Sequence, residues 1–289
     1  MIFKMKKTLA SLIFATIVAG STAAQAATIL VGTDAGLAPF EFKDQKSEEI
    51  VGFDMDIIKA VAKAVGDEAK IQNMQFAGII PALQTNMIDV AVAAITITDE
   101  RKKQVLFSDP YYDVGLAMVI KAANKDKYSE LKDIEGKDIC AQIGSTGSLL
   151  AQSVKGAKVM NFDQVAEALM ELKMGGCEAG LLGDTTARHY QSQHHDKDLL
   201  IVPHLYNPKQ VGFAVSKNNQ ALVEKLNKGL AAIKASGEYD KIYEKWLGKK
   251  NSLTHYIRTQ DNPSFKRFVL GIFISFQCNK DDESQDCQN

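Results

Sequence analysis

Short, dense apolar runs alternate with amphipathic stretches from Ala27 to Leu247. Thr28-Ile29-Leu30-Val31 is apolar and partly β-branched, which predicts a strand over Ala27–Gly32. From Asp54 to Val65, Ile57, Ile58, Val61, Ala62 and Val65 recur on one helical face, and Gly66 closes the helix. A second strand is expected around Met74-Gln75 and a short helix over Gly78–Thr85. Ile88–Ile95 is almost uninterrupted apolar sequence, as in a buried strand. Thr98 then has N-cap chemistry, with Asp99 and Glu100 in the first turn, where the helix dipole favours acids. This rhythm predicts a parallel sheet with helices on both faces.

The rhythm pauses over Tyr111–Ala122 and restarts. A strand over Lys137–Ile143 leads into the turn Gly144-Ser145-Thr146-Gly147-Ser148 and a helix from about Leu149. Phe162–Met174 patterns as a helix with Val165, Ala166, Leu169 and Leu172 inward, and Glu178–Leu182 as a strand ending in Gly183-Asp184. After a second pause at Tyr206–Val211 come a strand over Gly212–Val215 and helices over Ala221–Ala235 and Tyr239–Leu247. The expectation is an α/β protein of two lobes, two doubly wound sheets joined by a two-stranded hinge. The first lobe takes 27–110 and 212–248, the second 116–206, and the chain crosses at 111–115 and 207–211.

The ends of the chain pattern differently. Lys4, Lys6 and Lys7 precede an apolar run from Leu9 to Val18, and Ala24-Gln25-Ala26 is an A-x-A cleavage site. Residues 1–26 are therefore expected to be a signal peptide, leaving a soluble exported protein that starts near Ala27. Its removal takes three lysines and no acids, so the formal charge moves from −1 to −4. A mildly acidic chain argues against nucleic acid as a partner. Export raises the question of disulfides. Cys140 and Cys177 open two strands of the second lobe, where either a bridge or two buried thiols would fit; Cys278 and Cys287 lie further on. Residues 249–289 have a bulky apolar run at Phe268–Phe276, too short to span a bilayer, and an acidic end expected to be disordered.

In open α/β sheets, ligands sit beyond the carboxyl ends of the strands. Those ends carry Asp34 and Leu37, then Phe76, then Ala94, Thr96 and Arg101; in the second unit they carry Gln142, the Ser145-Thr146-Gly147 turn and Asp184. Arg101 can pair bidentately with a carboxylate, and Thr96 and the turn amides at a helix start add donors for the same anion. Asp184 offers an acceptor for an ammonium group. Together they outline an α-amino acid, with Asp34 and Phe76 left to read a polar side chain and cover its stem. Each residue also has a plainer reading: Arg101 on a solvated face, Asp34 and Asp184 as caps, Phe76 in the core. The Gly-Ser-Thr-Gly-Ser turn lacks a P-loop's Gly-Lys-Ser/Thr end, and no G-x-S-x-G elbow occurs. His189, His194 and His195 lack metal-ligand spacing, and His194-His195 sit in a polar stretch read as a loop.

The segments VGTDAGLAPFEF, VGFDMDIIKAVA, FAGIIPALQT, AITITDERKK, FSDPYY, GSTGS, GLLGDTTA and YDKIYEKWLG, in that order, resemble the polar amino-acid-binding proteins of bacterial ABC transporters, of the glutamine-binding and arginine/lysine-binding types. The resemblance covers about Ile29 to Gly248. It implies a periplasmic protein without cofactor, metal or catalytic residue, monomeric, which closes on an L-amino acid and presents it to inner-membrane permease subunits. It assigns Arg101, with Thr96 and Thr146, to the ligand's α-carboxylate, Asp184 to the α-ammonium, Asp34 to the side chain and Phe76 to its stem.

Some positions depart from that pattern. Leu37 stands where relatives carry an aromatic, Gln142 and Gly183 where glutamine-binding relatives have lysine and histidine, and Ala94 where others have serine or glycine. Without a lysine nearby, Asp34 would be a poorly paired buried charge, which favours a basic ligand; FAGIIPALQT and AITITDERKK look more like the glutamine branch. Two other readings stay open: a periplasmic dehydratase-type enzyme on the same fold, although Leu37, Gln142 and Gly183 do not titrate, and a protein that presents ligand to a membrane sensor.

Overall fold

The computed structural model describes residues 26–194 and 196–249. The expected signal sequence up to residue 25, His195, and the stretch from 250 onward with Phe268–Phe276, Cys278 and Cys287 lie outside the described residues. Two five-stranded sheets form the two lobes. The first runs in the order Glu68–Asn73, Thr28–Thr33, Val90–Ala91, Ala214–Ser216, Val105–Phe107. Its first three strands are parallel, and Ala214–Ser216 runs against both its neighbours. The second sheet repeats the plan. Lys158–Phe162, Asp138–Gln142 and Ala179–Gly183 are parallel, and Tyr112–Lys121 runs against both Ala179–Gly183 and Leu199–Val211. Among the described residues no helix is long and apolar enough to cross a membrane.

The predicted amphipathic faces bury as their spacing requires. Ile57, Ile58, Val61 and Ala62 of the Phe53–Ala64 helix are fully buried, in one cluster with Val31, Val90, Leu226 and Leu230. The two pauses, 111–122 and 206–211, fall largely in the strands Tyr112–Lys121 and Leu199–Val211. They run side by side and antiparallel, with Tyr112 opposite Val211, Asp113 opposite Gln210 and Val114 opposite Lys209.

Local departures have local causes. The apolar run Ile88–Ile95 pairs only at Val90–Ala91, because Ala94 turns the chain at a φ of 44°. The helix expected from Leu149 starts at Thr146, because the Ser145 hydroxyl accepts from the Ser148 amide at 3.1 Å and caps it earlier. The helix expected from Phe162 begins at Val165, and Phe162 itself ends an edge strand, Lys158–Phe162, that exposes Lys158 and Asn161. The stretch around His194 is not a loop but the end of a helix, Asp184–His194. Only Asp184, Thr185, Thr186 and Ala187 of that helix are buried, so it shows no sustained apolar stripe.

Asp54 ties three segments together. It is the second residue of the Phe53–Ala64 helix and fully buried. Its Oδ2 accepts from the Ala94 amide at 2.7 Å and from the Tyr111 hydroxyl at 2.8 Å. Glu41, equally buried, stands beside it. Burial, reinforced by the negative charge of Asp54, pushes the Glu41 carboxyl well above its usual range. Burial also raises Asp54 to about 6, against the opposing hydrogen bonds from Ala94 and Tyr111. Both Glu41 oxygens and Asp54 Oδ1 are buried without another hydrogen-bond partner, so a proton shared between the two carboxyls is what satisfies them.

Cys140 and Cys177 form a disulfide, Cα to Cα 5.9 Å, joining the Asp138–Gln142 strand to the turn before Ala179–Gly183. The closed loop spans 37 residues, for which chain entropy predicts stabilisation of roughly 4 kcal/mol. Replacing both cysteines by alanine is expected to lower the unfolding free energy by about 2–4 kcal/mol in urea titrations, as reduction does in the native protein.

The carboxyl pair gives a pH prediction. Both folded pKa values are raised, so the stabilisation is complete below the unfolded values and is lost as pH rises: from 3.8 through about 6 for Asp54, and from 4.5 upward for Glu41. Glu41→Gln removes one such proton. Across the range above pH 4.5, the variant's unfolding free energy is expected to gain on the wild type by up to about 1.4 kcal/mol per pH unit. Parallel urea curves at pH 5 and pH 8 measure the difference.

Candidate functional site

Arg101 lies in the four-residue helix Asp99–Lys102, whose start is set by Thr98: its hydroxyl accepts from the Arg101 amide at 3.2 Å. The side chain is buried. Its guanidinium donates to the Thr96 carbonyl at 2.9 Å and, across the cleft, to the Gly144 carbonyl at 3.2 Å. The guanidinium carbon stands 5.5 Å from the centre of the Phe76 ring. Burial lowers its pKa to about 10. Among the described residues its partners are carbonyls and an aromatic face, and no carboxylate neutralises it. A buried cation so placed can take an anion, since a carboxylate or phosphate offers the bidentate partner a guanidinium pairs with best.

The second lobe brings the start of the Thr146–Ser153 helix to the same cavity. The Thr146 and Gly147 amides have no intrahelical acceptor and carry the positive end of the helix dipole. Glycine is required at 147: a Cβ there would stand 2.2 Å from the Leu181 carbonyl oxygen. The helix start thus packs directly on the neighbouring strand.

Leu37, Phe76, Ala94, Thr96, Arg101, Gln142, Ser145 and Thr146 all line one cavity of about 60 Å³ between the lobes. The sequence reading did not single out Phe40, Val114 or Thr186, which also line it. Asp34 and Asp184 stand behind its walls instead of on them. Asp34 is buried, and both its oxygens are taken from the opposite lobe: Oδ2 by Gln142 Nε2 and Oδ1 by Gln164 Nε2, each at 2.8 Å. Burial raises its pKa, against the hydrogen bonds from Gln164, the Phe76 amide and Gln142. Asp34 was expected to be poorly paired without a nearby lysine: two carboxamides complete its hydrogen bonding, while among the described residues no cation pairs with it. Asp184 is fully buried; its Oδ1 accepts from the Gly115 amide at 3.2 Å, and its Oδ2 lies 3.8 Å from Arg188 Nε. It braces the crossing strand from just behind Gly183 and Thr186.

Gln164 was legible by one signal: with Glu167 it makes a Gln-x-x-Glu box ahead of an amphipathic helix, and the Glu167 carboxylate accepts from the Gln164 amide at 3.1 Å. That box marks the carboxyl end of the edge strand Lys158–Phe162. Because the strand went unread, so did its end. Among the described residues no cluster of three or more histidine, cysteine or acidic residues could hold a metal.

Known proteins share this chain's sequence and fold. The ABC transporter arginine-binding protein 1 of Escherichia coli (strain K12) is 34% identical over 248 residues, covering 84% of this chain and 99% of that protein. The ABC transporter glutamine-binding protein GlnH of Bacillus subtilis (strain 168) is 36% identical over 227 residues, covering 76% and 81%. Among solved structures, an ancestral arginine-binding protein bound to arginine superposes with a TM-score of 0.74 at 44% identity, covering 78% of this chain and all of that one. Residues 29–249 match the family described as bacterial extracellular solute-binding proteins, family 3, and the chain belongs to it.

Proposed function

We propose that this protein is the substrate-binding component of an ABC importer, working as a monomer in the periplasm. It closes two lobes on a polar L-amino acid, arginine by preference, and delivers it to inner-membrane permease subunits. It is a binding protein, not an enzyme. The observation that carries the ligand reading is Arg101: a buried guanidinium, lining a cavity, with no carboxylate partner among the described residues.

In this reading the ligand's α-carboxylate pairs with Arg101 and takes the amides of Thr146 and Gly147, with Thr96 beside it. The α-ammonium lies toward Gly183 and Thr186, where the charge of Asp184 favours a cation. The side chain runs over Phe76 and Leu37 toward Gln142 and Asp34. The negative Asp34 favours a guanidinium tip, in line with the arginine-binding relatives. A second reading, glutamine, is favoured by one detail: Asp34 already holds two carboxamide donors, the same group a glutamine ligand carries. Opening and closing then bend the paired segments 111–115 and 207–211, where the crossing strands shift register between Tyr206 and Lys209 and Asn207 takes a φ of 47°.

A thermal-shift screen of unfolded and refolded protein against the twenty L-amino acids and ornithine tests the ligand. At about a thousandfold above Kd, binding stabilises by roughly 4 kcal/mol. Arginine is expected to give the largest shift, a response to glutamine alone supports the second reading, and silence throughout overturns amino-acid binding. Arg101→Ala is expected to weaken the responding ligand by about 2–5 kcal/mol, at least thirtyfold in Kd, because it strands a buried carboxylate. Calorimetry showing wild-type affinity would remove Arg101 from the site.

A further inference from the structure

The cleft is held shut by the protein's own groups. Gln142 and Gln164, both of the second lobe, donate to the two oxygens of Asp34 in the first. Gln75 of the first lobe donates in the opposite direction to Asp163 Oδ2, at 2.8 Å. Asp163 and Gln164 are adjacent, so one short segment ahead of the Val165–Met174 helix both gives and receives an amide-to-carboxylate bond across the cleft. The backbone of Gln164 is fixed by Glu167.

The first lobe is shaped to admit that segment. A Cβ at Gly36 would stand 1.7 Å from Gln164 Oε1, and no positive φ demands glycine there. Gly36 is small where the Gln164 carboxamide must enter. Neither Gln164 nor Asp34 lines the cavity, so this contact is not part of the wall a ligand touches.

We propose that Gln164 is the closure latch of this protein: a positioning residue that sets the balance between open and closed lobes through Asp34, with Gly36 as the gap that receives it. The latch favours the closed form before any ligand arrives. It also slows release, because opening breaks charge-assisted bonds at Asp34 as well as the ligand's own contacts. A ligand is selected by the cavity and retained by the latch. Only the release arm rests on amino-acid binding; the lobe balance follows from the fold alone.

The test compares wild type, Gln164→Ala, Gly36→Ala and the double variant. Single-molecule FRET between dyes at Met87→Cys and Met170→Cys, both exposed and one on each lobe, reads the ligand-free closed-to-open ratio. Gln164→Ala and Gly36→Ala are each expected to lower that ratio about tenfold, the first by removing the carboxamide and the second by displacing it. The double variant is expected to match Gln164→Ala, since the clash at Gly36 has then lost its object. With L-arginine, or whichever amino acid the screen identifies, stopped-flow release is expected to speed up about tenfold in both single variants. The order of preference among amino acids stays unchanged. A ratio within twofold of wild type in Gln164→Ala, with normal thermal unfolding, overturns the latch. So does a wild type that is wholly open without ligand, or a Gly36→Ala that differs from Gln164→Ala. If no amino acid binds, the FRET arm still decides the latch, and only the functional reading falls.

Discussion

One buried carboxylate, that of Asp54, sets the geometry on which the site depends. A fully buried negative group is costly unless its oxygens are matched. Asp54 is matched by the Ala94 amide, the Tyr111 hydroxyl and the proton of Glu41. The first partner holds a non-glycine residue at positive φ and so fixes where the third strand of the first sheet lets go of its neighbours. Thr96 follows two residues after Ala94 and Arg101 seven. The second partner belongs to the segment where the chain leaves for the other lobe. One oxygen of Asp54 thus ties Ala94, just ahead of Thr96 and Arg101, to Tyr111.

The two charged groups of the cleft are treated in opposite ways. Asp34 receives carboxamides on both oxygens, so its charge is spread and its hydrogen bonding complete. Among the described residues Arg101 donates to two carbonyls and lies over the face of Phe76, so most of its five donors and its charge are left unanswered. A zwitterion entering this cavity meets one strong electrostatic demand and one already moderated. That asymmetry favours an anionic group beside Arg101 more than a cationic group beside Asp34.

Much of this was legible in the sequence, and the limits have physical causes. Strand ends are readable because buried strands are dense in apolar residues and stop abruptly: Ile88–Ile95 led directly to Ala94, Thr96 and Arg101. The family was readable because eight motifs occur in order. Edge elements were not. Lys158–Phe162 pairs on one side only, so it needs no apolar density, and Gln164 at its end was lost with it. The Asp184–His194 helix buries only its first turn, so its remainder carries the polarity of a loop. Partners across the cleft were also out of reach: Gln142 and Gln164 lie more than a hundred residues from Asp34, and nothing in local spacing announces that they meet it.

The repetition of strand order in the two sheets has a consequence for how such a site can change. Each lobe has its own parallel triplet and its own reversed strand. The first lobe contributes the guanidinium and the aromatic face; the second contributes the helix start and the carboxamides. Neither half recognises an amino acid alone, yet each can be rewritten alone. Ligand preference in this architecture is a product of two separately editable surfaces, with affinity for the common backbone of amino acids kept as the invariant factor.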